Sequence, residues 1–153
     1  TEVRGILGHA GPGAVAVPGP DSLPESLPGE VGVICQTTQT AGLLSAVAAE
    51  ISRRGVSLRL HNTICKATAK RQRAAADLAG RVDVMFVIGG KNSSNTKRLA
   101  EACAGTGTPT HHVETADEVG PGMVCGARRV GATAGASTPD WLVEALLERL
   151  RSL

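Results

Sequence analysis

Short apolar runs alternate along the chain with longer segments of helical periodicity. The short runs end at turn residues, as buried strands of a parallel sheet do. They predict six strands, at residues 3–8, 31–35, 56–60, 82–89, 110–114 and 128–135. The longer segments place apolar residues three and four positions apart, which is typical of amphipathic helices. They predict four helices, at residues 40–55, 66–80, 95–105 and 138–150.

This alternation of strands and helices predicts an α/β fold with mainly parallel sheets and right-handed crossovers. Six strands and four helices fit two small strand–helix units, which we place at residues 1–60 and 61–153. The segment 11–30 contains five prolines and is predicted to be a loop, since proline interrupts both helices and sheets.

Composition narrows the class of ligand. Among 153 residues, 16 Lys and Arg face 14 Asp and Glu, and this net charge of +2 argues against a dedicated nucleic-acid or membrane-surface protein. One Phe, one Trp and no Tyr leave little for stacking on bases or sugars. A small anion such as phosphate, held by backbone amides, hydroxyls and charge, suits this inventory.

The ends of the chain and its hydropathy bear on location. No stretch approaches the roughly 20 apolar residues of a membrane-spanning helix, and no apolar signal segment is present. We therefore expect a cytoplasmic protein without a membrane partner. Because the chain begins at Thr1 rather than Met, we also expect a processed product or a fragment of a longer protein.

Three predicted strands end in turns rich in hydroxyl and amide side chains, and each turn opens a helix. Carboxyl ends of strands in an open α/β sheet share one edge, so we expect the three turns to converge on one crevice. Helix N-termini there would make an anion site. The alternative is that these side chains only cap helices, but three such turns together favour the anion site. The candidate residues are Thr37, Thr38, Ser93, Ser94, Asn95, Ser137 and Thr138.

Cys65 carries a different chemistry, because it is predicted to begin a helix beside Lys66. A helix N-terminus and nearby cations lower the pKa of a thiol, so Cys65 should be the most thiolate-like cysteine and a candidate ligand for iron or zinc. The alternative is a buried apolar cysteine, which fits Cys103 in mid-helix. Cys35 borders the proposed crevice, and Cys125 stays open between the two interpretations.

Five motifs together resemble the IspH (LytB) family of 4-hydroxy-3-methylbut-2-enyl diphosphate reductases. They occur in the family's order and are CQTTQT, NTICKATAKRQ, VIGGKNSSNT, TPTHHVETADE and GATAGASTPDW. The resemblance implies a fold of three α/β subdomains around a [4Fe-4S] cluster, of which this chain would form the second and third. It also implies reductive dehydroxylation of an allylic diphosphate to isopentenyl and dimethylallyl diphosphate.

The resemblance assigns roles position by position. Cys65 matches a cluster-ligating cysteine, and Thr37 or Thr38 matches a catalytic threonine near the substrate. The residues that match the family's diphosphate-binding positions are Ser93, Ser94, Asn95 and Ser137.

The chain also departs from the family pattern. The family uses three cysteines for its cluster, and only Cys65 matches one of them. After the ILGHAG stretch, Pro12, Gly13 and Ala14 stand where the family has His-Pro-Glu. That glutamate is the family's proton donor, and a methyl group cannot deliver a proton. We expect His9 to be a residue of the preceding turn.

Two functions remain open. In the first, the chain is part of an IspH-type enzyme and supplies the diphosphate site and one thiolate. A second polypeptide or a removed segment would supply the rest, and ferredoxin or flavodoxin would donate electrons. When the proper partner is missing, the chain would form a homo-oligomer. In the second, the chain is a degenerate homologue that binds diphosphate, or assembles with a partner, without redox activity. Cys65 favours the first and Ala14 the second. We favour the first, and we expect no stable cluster or turnover in the isolated chain.

Overall fold

The computed structural model describes residues 2–153. They form two compact units, one up to Cys65 and the other Lys66–Leu153. The division into residues 1–60 and 61–153 remains a prediction about domains. Every strand pair within the two units is parallel, which confirms the predicted α/β class.

The first unit contains a two-stranded sheet and two α-helices. Its elements are α1 (Glu2–Ala10), β1 (Glu30–Ile34), α2 (Ala41–Arg53) and β2 (Ser57–His61). The strands β1 and β2 pair in register from Glu30 opposite Ser57 to Ile34 opposite His61. The helix α2 supplies the buried side chains of Leu44, Val47 and Ile51. Their spacing of three and four residues is the pattern that predicted this helix.

The predicted strand at residues 3–8 is wrong, because this segment is the helix α1. Val3, Ile6 and Leu7 are half-buried, and their separation of three and four positions is a helical spacing. His9, expected in a turn, lies in the last turn of α1, and its Nδ1 is 2.8 Å from the carbonyl oxygen of Gly5. The run was too short to separate the two periodicities by its apolar content alone.

The second unit is a three-stranded parallel sheet with helices on both faces. Its elements are α3 (Lys66–Ala79), β3 (Val84–Ile88), α4 (Ser94–Ala104), β4 (Thr110–Val113), β5 (Val130–Ala134) and α5 (Asp140–Arg151). The strand order is β4-β3-β5, so β3 is central. All five residues of β3 are buried, which explains the unbroken apolar run VMFVI.

The two faces of β3 pack on different helices. Met85 and Val87 lie in one apolar cluster with Leu99 of α4 and side chains of α3. Phe86 and Ile88 lie in a second cluster with Leu146 of α5. The sheet is therefore enclosed between two helical layers, and its carboxyl edge is left for the turns that open α4 and α5.

Across residues 2–153, no helix combines the length and apolarity needed to cross a bilayer.

Candidate functional site

The turns after β3 and β5 lie side by side at the carboxyl edge of the three-stranded sheet. The last paired residues of the two strands are Ile88 and Ala134. We call residues 89–96, which include the first residues of α4, the β3 turn, and residues 135–139 the β5 turn. The chain leaves β3 for β4 on one side, while β5 pairs on the other, so a change of direction lies between β3 and β5. Ligands of open α/β sheets bind at such points.

Hydrogen bonds join the end of β3 to the β5 turn on one side and the β3 turn to β4 on the other. The carbonyl oxygen of Ile88 accepts from the amide of Gly135 at 3.0 Å and from the hydroxyl of Thr138 at 3.2 Å. On the other side, the Gly89 amide donates to the carbonyl oxygen of Val113 at 3.0 Å. The Nε2 atom of His112 lies 2.9 Å from the Gly89 carbonyl oxygen, which can only accept, so this nitrogen carries the proton.

Glycine is required at two positions of this edge for different reasons. Gly89 has a φ of +144°, a conformation that side chains rarely adopt, and a methyl group there would lie 2.6 Å from Thr138 Oγ1. Gly135 has no positive φ, but a methyl group on it would overlap Thr96 Oγ1. The absence of both side chains lets the two turns approach each other closely.

Ser93 and Ser94 have different environments although they are adjacent. Ser93 is the N-cap of α4, and its hydroxyl accepts from the Thr96 amide at 3.3 Å. The capping alternative therefore holds for Ser93. Ser94, the first residue of α4, is exposed at the same turn. Ser137 is exposed in the β5 turn.

Asn95 is not explained by capping. Its side-chain Nδ2 and Oδ1 atoms are both buried, and among residues 2–153 neither has a hydrogen-bond partner. Most buried polar groups in folded proteins are hydrogen-bonded, because leaving one unpaired costs its full desolvation energy. The unpaired amide lies in the first turn of α4, where the first backbone amides also have no acceptor within the helix.

The one cation of the β3 turn is already paired. The Lys91 ammonium forms an ion pair with Glu118, which raises the pKa of Lys91 and lowers the pKa of Glu118. The Lys91 amide donates to Glu114 Oε1 at 2.7 Å. The remaining donors of the turn are neutral hydroxyls and amides. This network was missed from sequence, although the capping box that ends at Glu118 gives a visible signal in the segment TADE.

Thr37 and Thr38 belong to the first unit, because they follow β1. The expectation that all three hydroxyl-rich turns share one sheet edge is therefore wrong, since β1 pairs with β2 in a separate sheet. Thr37 is exposed, and its amide donates to Glu2 Oε1 at 2.9 Å. Its carbonyl oxygen accepts from the Cys65 amide at 2.9 Å, which brings Thr37 and Cys65 together.

The four cysteines lie in different environments. Cys65 is exposed and directly precedes α3, as predicted, and Cys125 is exposed in a loop. Cys35 is half-buried after β1, and its amide donates to Thr63 Oγ1 at 3.0 Å. Cys103 is fully buried in α4, and burial raises the pKa of its thiol to about 11. The interpretation of Cys103 as an apolar core residue is confirmed.

A metal centre is not assembled by this part of the chain. Within residues 2–153, no three His, Cys, Asp or Glu side chains are grouped so that they could hold a metal ion. A protein-bound [4Fe-4S] cluster takes three or four thiolates. The described residues offer one thiolate for such a cluster, that of Cys65, and do not offer the three or four that a complete site needs.

The sequence model of the family described as LytB protein matches residues 1–151. The chain belongs to the LytB family. Its relatives include LytB proteins named 4-hydroxy-3-methylbut-2-enyl diphosphate reductase. That of Geobacter metallireducens is 48% identical over 99% of this chain and 54% of its own length. That of Geobacter sulfurreducens is 48% identical over 98% of this chain and 54% of its own length. This LytB chain thus spans about half the length of the curated relatives it matches.

Solved structures agree with the LytB assignment. The structure of (E)-4-hydroxy-3-methyl-but-2-enyl diphosphate reductase, the terminal enzyme of the non-mevalonate pathway, is 44% identical to this chain with a TM-score of 0.57. The match covers 81% of this chain and 44% of the solved chain. The corresponding reductase of Plasmodium falciparum is 21% identical and has a TM-score of 0.76. The match covers 86% of this chain and 43% of the solved chain, and it supports the fold.

Proposed function

We propose that this LytB chain is the diphosphate-binding part of a 4-hydroxy-3-methylbut-2-enyl diphosphate reductase. The reaction would break the carbon–oxygen bond of the allylic hydroxyl. With two electrons and two protons it would release water and yield isopentenyl or dimethylallyl diphosphate. The relatives that carry this name match nearly the whole chain, and the five sequence motifs include the predicted diphosphate residues.

The unpaired side chain of Asn95 carries the proposal. Its buried Nδ2 has no acceptor among the residues that the structure describes, and a diphosphate oxygen would supply one. The exposed hydroxyls of Ser94 and Ser137 lie on the two adjacent turns. The N-termini of α4 and α5 add backbone amides and the positive ends of two helix dipoles. These groups together suit an anion with several oxygens.

The redox part of the proposal needs a second contributor. The resemblance assigns the electrons to a [4Fe-4S] cluster with three cysteine ligands, and only Cys65 is offered here. We propose that a second polypeptide brings the remaining thiolates and an acid in place of Ala14. When this partner is absent, the chain would associate with another copy of itself. Ferredoxin or flavodoxin would be the electron donor, as the resemblance implies. Thr37 and Thr38 remain predicted substrate-proximal residues.

A second candidate is a LytB homologue that binds diphosphate without redox chemistry. Ala14 favours it, because this exposed alanine stands where the family has its proton-donating glutamate. Anaerobic reconstitution with iron and sulfide, alone and after co-expression with the proteins encoded beside this chain, separates the two. Turnover with a partner supports the reductase, and diphosphate binding without turnover under either condition supports the second candidate.

Calorimetric titration with inorganic diphosphate and with isopentenyl diphosphate tests the binding site. A hydrogen bond to a charged group contributes about 1.5–3 kcal/mol, so Asn95→Ala should weaken binding at least about tenfold. The same substitution should leave the stability of the ligand-free protein unchanged or raised, because it removes a buried polar group that has no partner. Unchanged affinity in Asn95→Ala would refute the site.

Asn92→Ala is the matched control. Asn92 lies in the same turn but is exposed, so its truncation removes no desolvation cost. It should leave the free energy of unfolding unchanged, and its effect on diphosphate affinity should be smaller than that of Asn95→Ala.

A further inference from the structure

We propose that Thr96 and Thr138 are positioning residues that fix the separation of the β3 and β5 turns, and so set a preference for diphosphate over orthophosphate. This inference rests on the proposed diphosphate site. The site residues occur on two turns, with Ser94 and Asn95 on one side and Ser137 on the other. A two-phosphoryl ligand can engage both turns only if their separation matches its length.

The two threonines fill the space between the turns. A methyl group on Gly89 would lie 2.6 Å from Thr138 Oγ1 and 3.1 Å from Thr96 Oγ1. A methyl group on Gly135 would lie 3.1 Å from Thr138 Oγ1 and would overlap Thr96 Oγ1. Each glycine therefore faces both hydroxyls. The threonine from each turn packs against the backbone of the other turn, so neither turn can move inward.

Thr138 also forms a hydrogen bond from the β5 turn to β3. Its hydroxyl donates to the carbonyl oxygen of Ile88, the last residue of β3, at 3.2 Å. The Gly135 amide donates to the same oxygen at 3.0 Å. Two donors from the β5 turn thus hold one acceptor of β3. Loss of the hydroxyl would leave the amide as a single pivot, about which the β5 turn could rotate.

Burial separates positioning from ligand contact. Thr96 is 1% exposed and packs behind the turn, whereas Ser94 and Ser137 are open to solvent. A buried hydroxyl wedged between two glycines sets a distance, while the exposed hydroxyls can donate to an anion. The threonine pair is therefore expected to change which anion fits, rather than to remove the donors themselves.

Thr138→Val tests the proposal, because valine keeps the shape and removes the hydroxyl. Affinities for inorganic diphosphate and for orthophosphate are measured by calorimetry in the same buffer. Losing a hydrogen bond of this class should weaken diphosphate binding about five- to tenfold, with about a twofold change or less for orthophosphate, which needs only one turn. Thr138→Ser, which retains the hydroxyl, should keep the wild-type ratio of the two affinities.

Thr108→Val is the matched control for lost stability. The Thr108 hydroxyl also donates to a backbone carbonyl, that of Ala79 at 2.8 Å, but before β4 rather than at the carboxyl edge. Thr108→Val should leave the ratio of diphosphate to orthophosphate affinity unchanged, even if it lowers the melting temperature as much as Thr138→Val does.

The outcomes separate the two proposals. If the wild-type chain binds diphosphate and Thr138→Val keeps its affinity ratio, the positioning role is refuted and the proposed site stands. Equal weakening of both anions refutes the positioning role in the same way. If the wild-type chain binds neither anion, the proposed diphosphate site itself fails, and the positioning role fails with it.

Discussion

The hydroxyl of Ser93 accepts a hydrogen bond from the backbone amide of Thr96 at 3.3 Å, and so caps the helix whose next residue is the exposed Ser94. Two adjacent serines that were both predicted to bind diphosphate therefore differ in structural role. One stabilises the helix in the absence of any ligand, and the other is available to a ligand.

These two serines should separate stability from binding. Ser93→Ala removes the cap and should lower the free energy of unfolding by about 1 kcal/mol. Ser94→Ala should change it by less than about 0.5 kcal/mol, as exposed substitutions usually do. Urea denaturation of both variants checks this, and diphosphate titration should show weakening in Ser94→Ala. Equal stability losses would contradict the assignment of the cap to Ser93.

A double-mutant cycle tests the close packing at Gly135. Gly135→Ala should destabilise the protein by about 1–3 kcal/mol, because the added methyl overlaps Thr96 Oγ1. Thr96→Ala removes that oxygen, so the glycine substitution should cost at least about 1 kcal/mol less in its background. Additive free energies from chemical denaturation of the four proteins would show that the two residues do not compete for the same space.

Cysteine alkylation should follow exposure and helix position. Cys103 is fully buried with a pKa of about 11, so it should react only when the second unit opens. Cys65 and Cys125 are both exposed, but only Cys65 precedes a helix and has Lys66 beside it. These features favour the thiolate, so Cys65 should react faster than Cys125 at neutral pH. Mass-resolved iodoacetamide labelling measures the order, and an equal rate for Cys125 would show that the helix terminus has no effect.

Acid stability should depend on Glu50 in α2. A hydrogen bond from Arg53, together with a weaker effect of the hydrogen bond from Arg54, lowers the pKa of Glu50 from its ordinary 4.5 to about 2. Because the folded-state pKa is the lower one, the stabilisation is fully present above pH 4.5 and is lost as the pH falls towards 2. Glu50→Gln should therefore lose less melting temperature than the wild type between pH 6 and pH 3. Glu25→Gln is the control, since Glu25 forms no ion pair within residues 2–153, and it should behave as the wild type does.

Much of the fold follows from local signals in the sequence. The helix α2 was predicted from its apolar spacing and from its end at Gly55, which has a φ of +73°. The strand β3 was predicted from its unbroken apolar run, which reflects the burial of the strand on both faces. The segment that forms α1 was misassigned because nine residues with two internal glycines give both interpretations similar support.

The candidate site was predicted only in part, because its geometry depends on strand pairing. Residues that share a sheet edge cannot be derived from a strand–helix order alone, so Thr37 was wrongly placed on one edge with Ser93. Thr96 gave no signal as the neighbour of Gly135, since these residues are far apart in sequence. The unpaired amide of Asn95 likewise becomes apparent only when burial is known.

The ion pair between Lys91 and Glu118 has a consequence for how ionic strength should act on this turn. Dissolved salt screens attraction between exposed opposite charges, and the screening length is about 8 Å at 0.15 M. Here the turn's lysine already has a carboxylate partner, so an incoming anion would meet uncharged hydroxyls and amides. Diphosphate affinity should therefore change little between low and moderate concentrations of potassium chloride, unlike that of a site built from unpaired lysines. Glu118→Gln would release the ammonium, and the affinity should then fall steeply as salt is added.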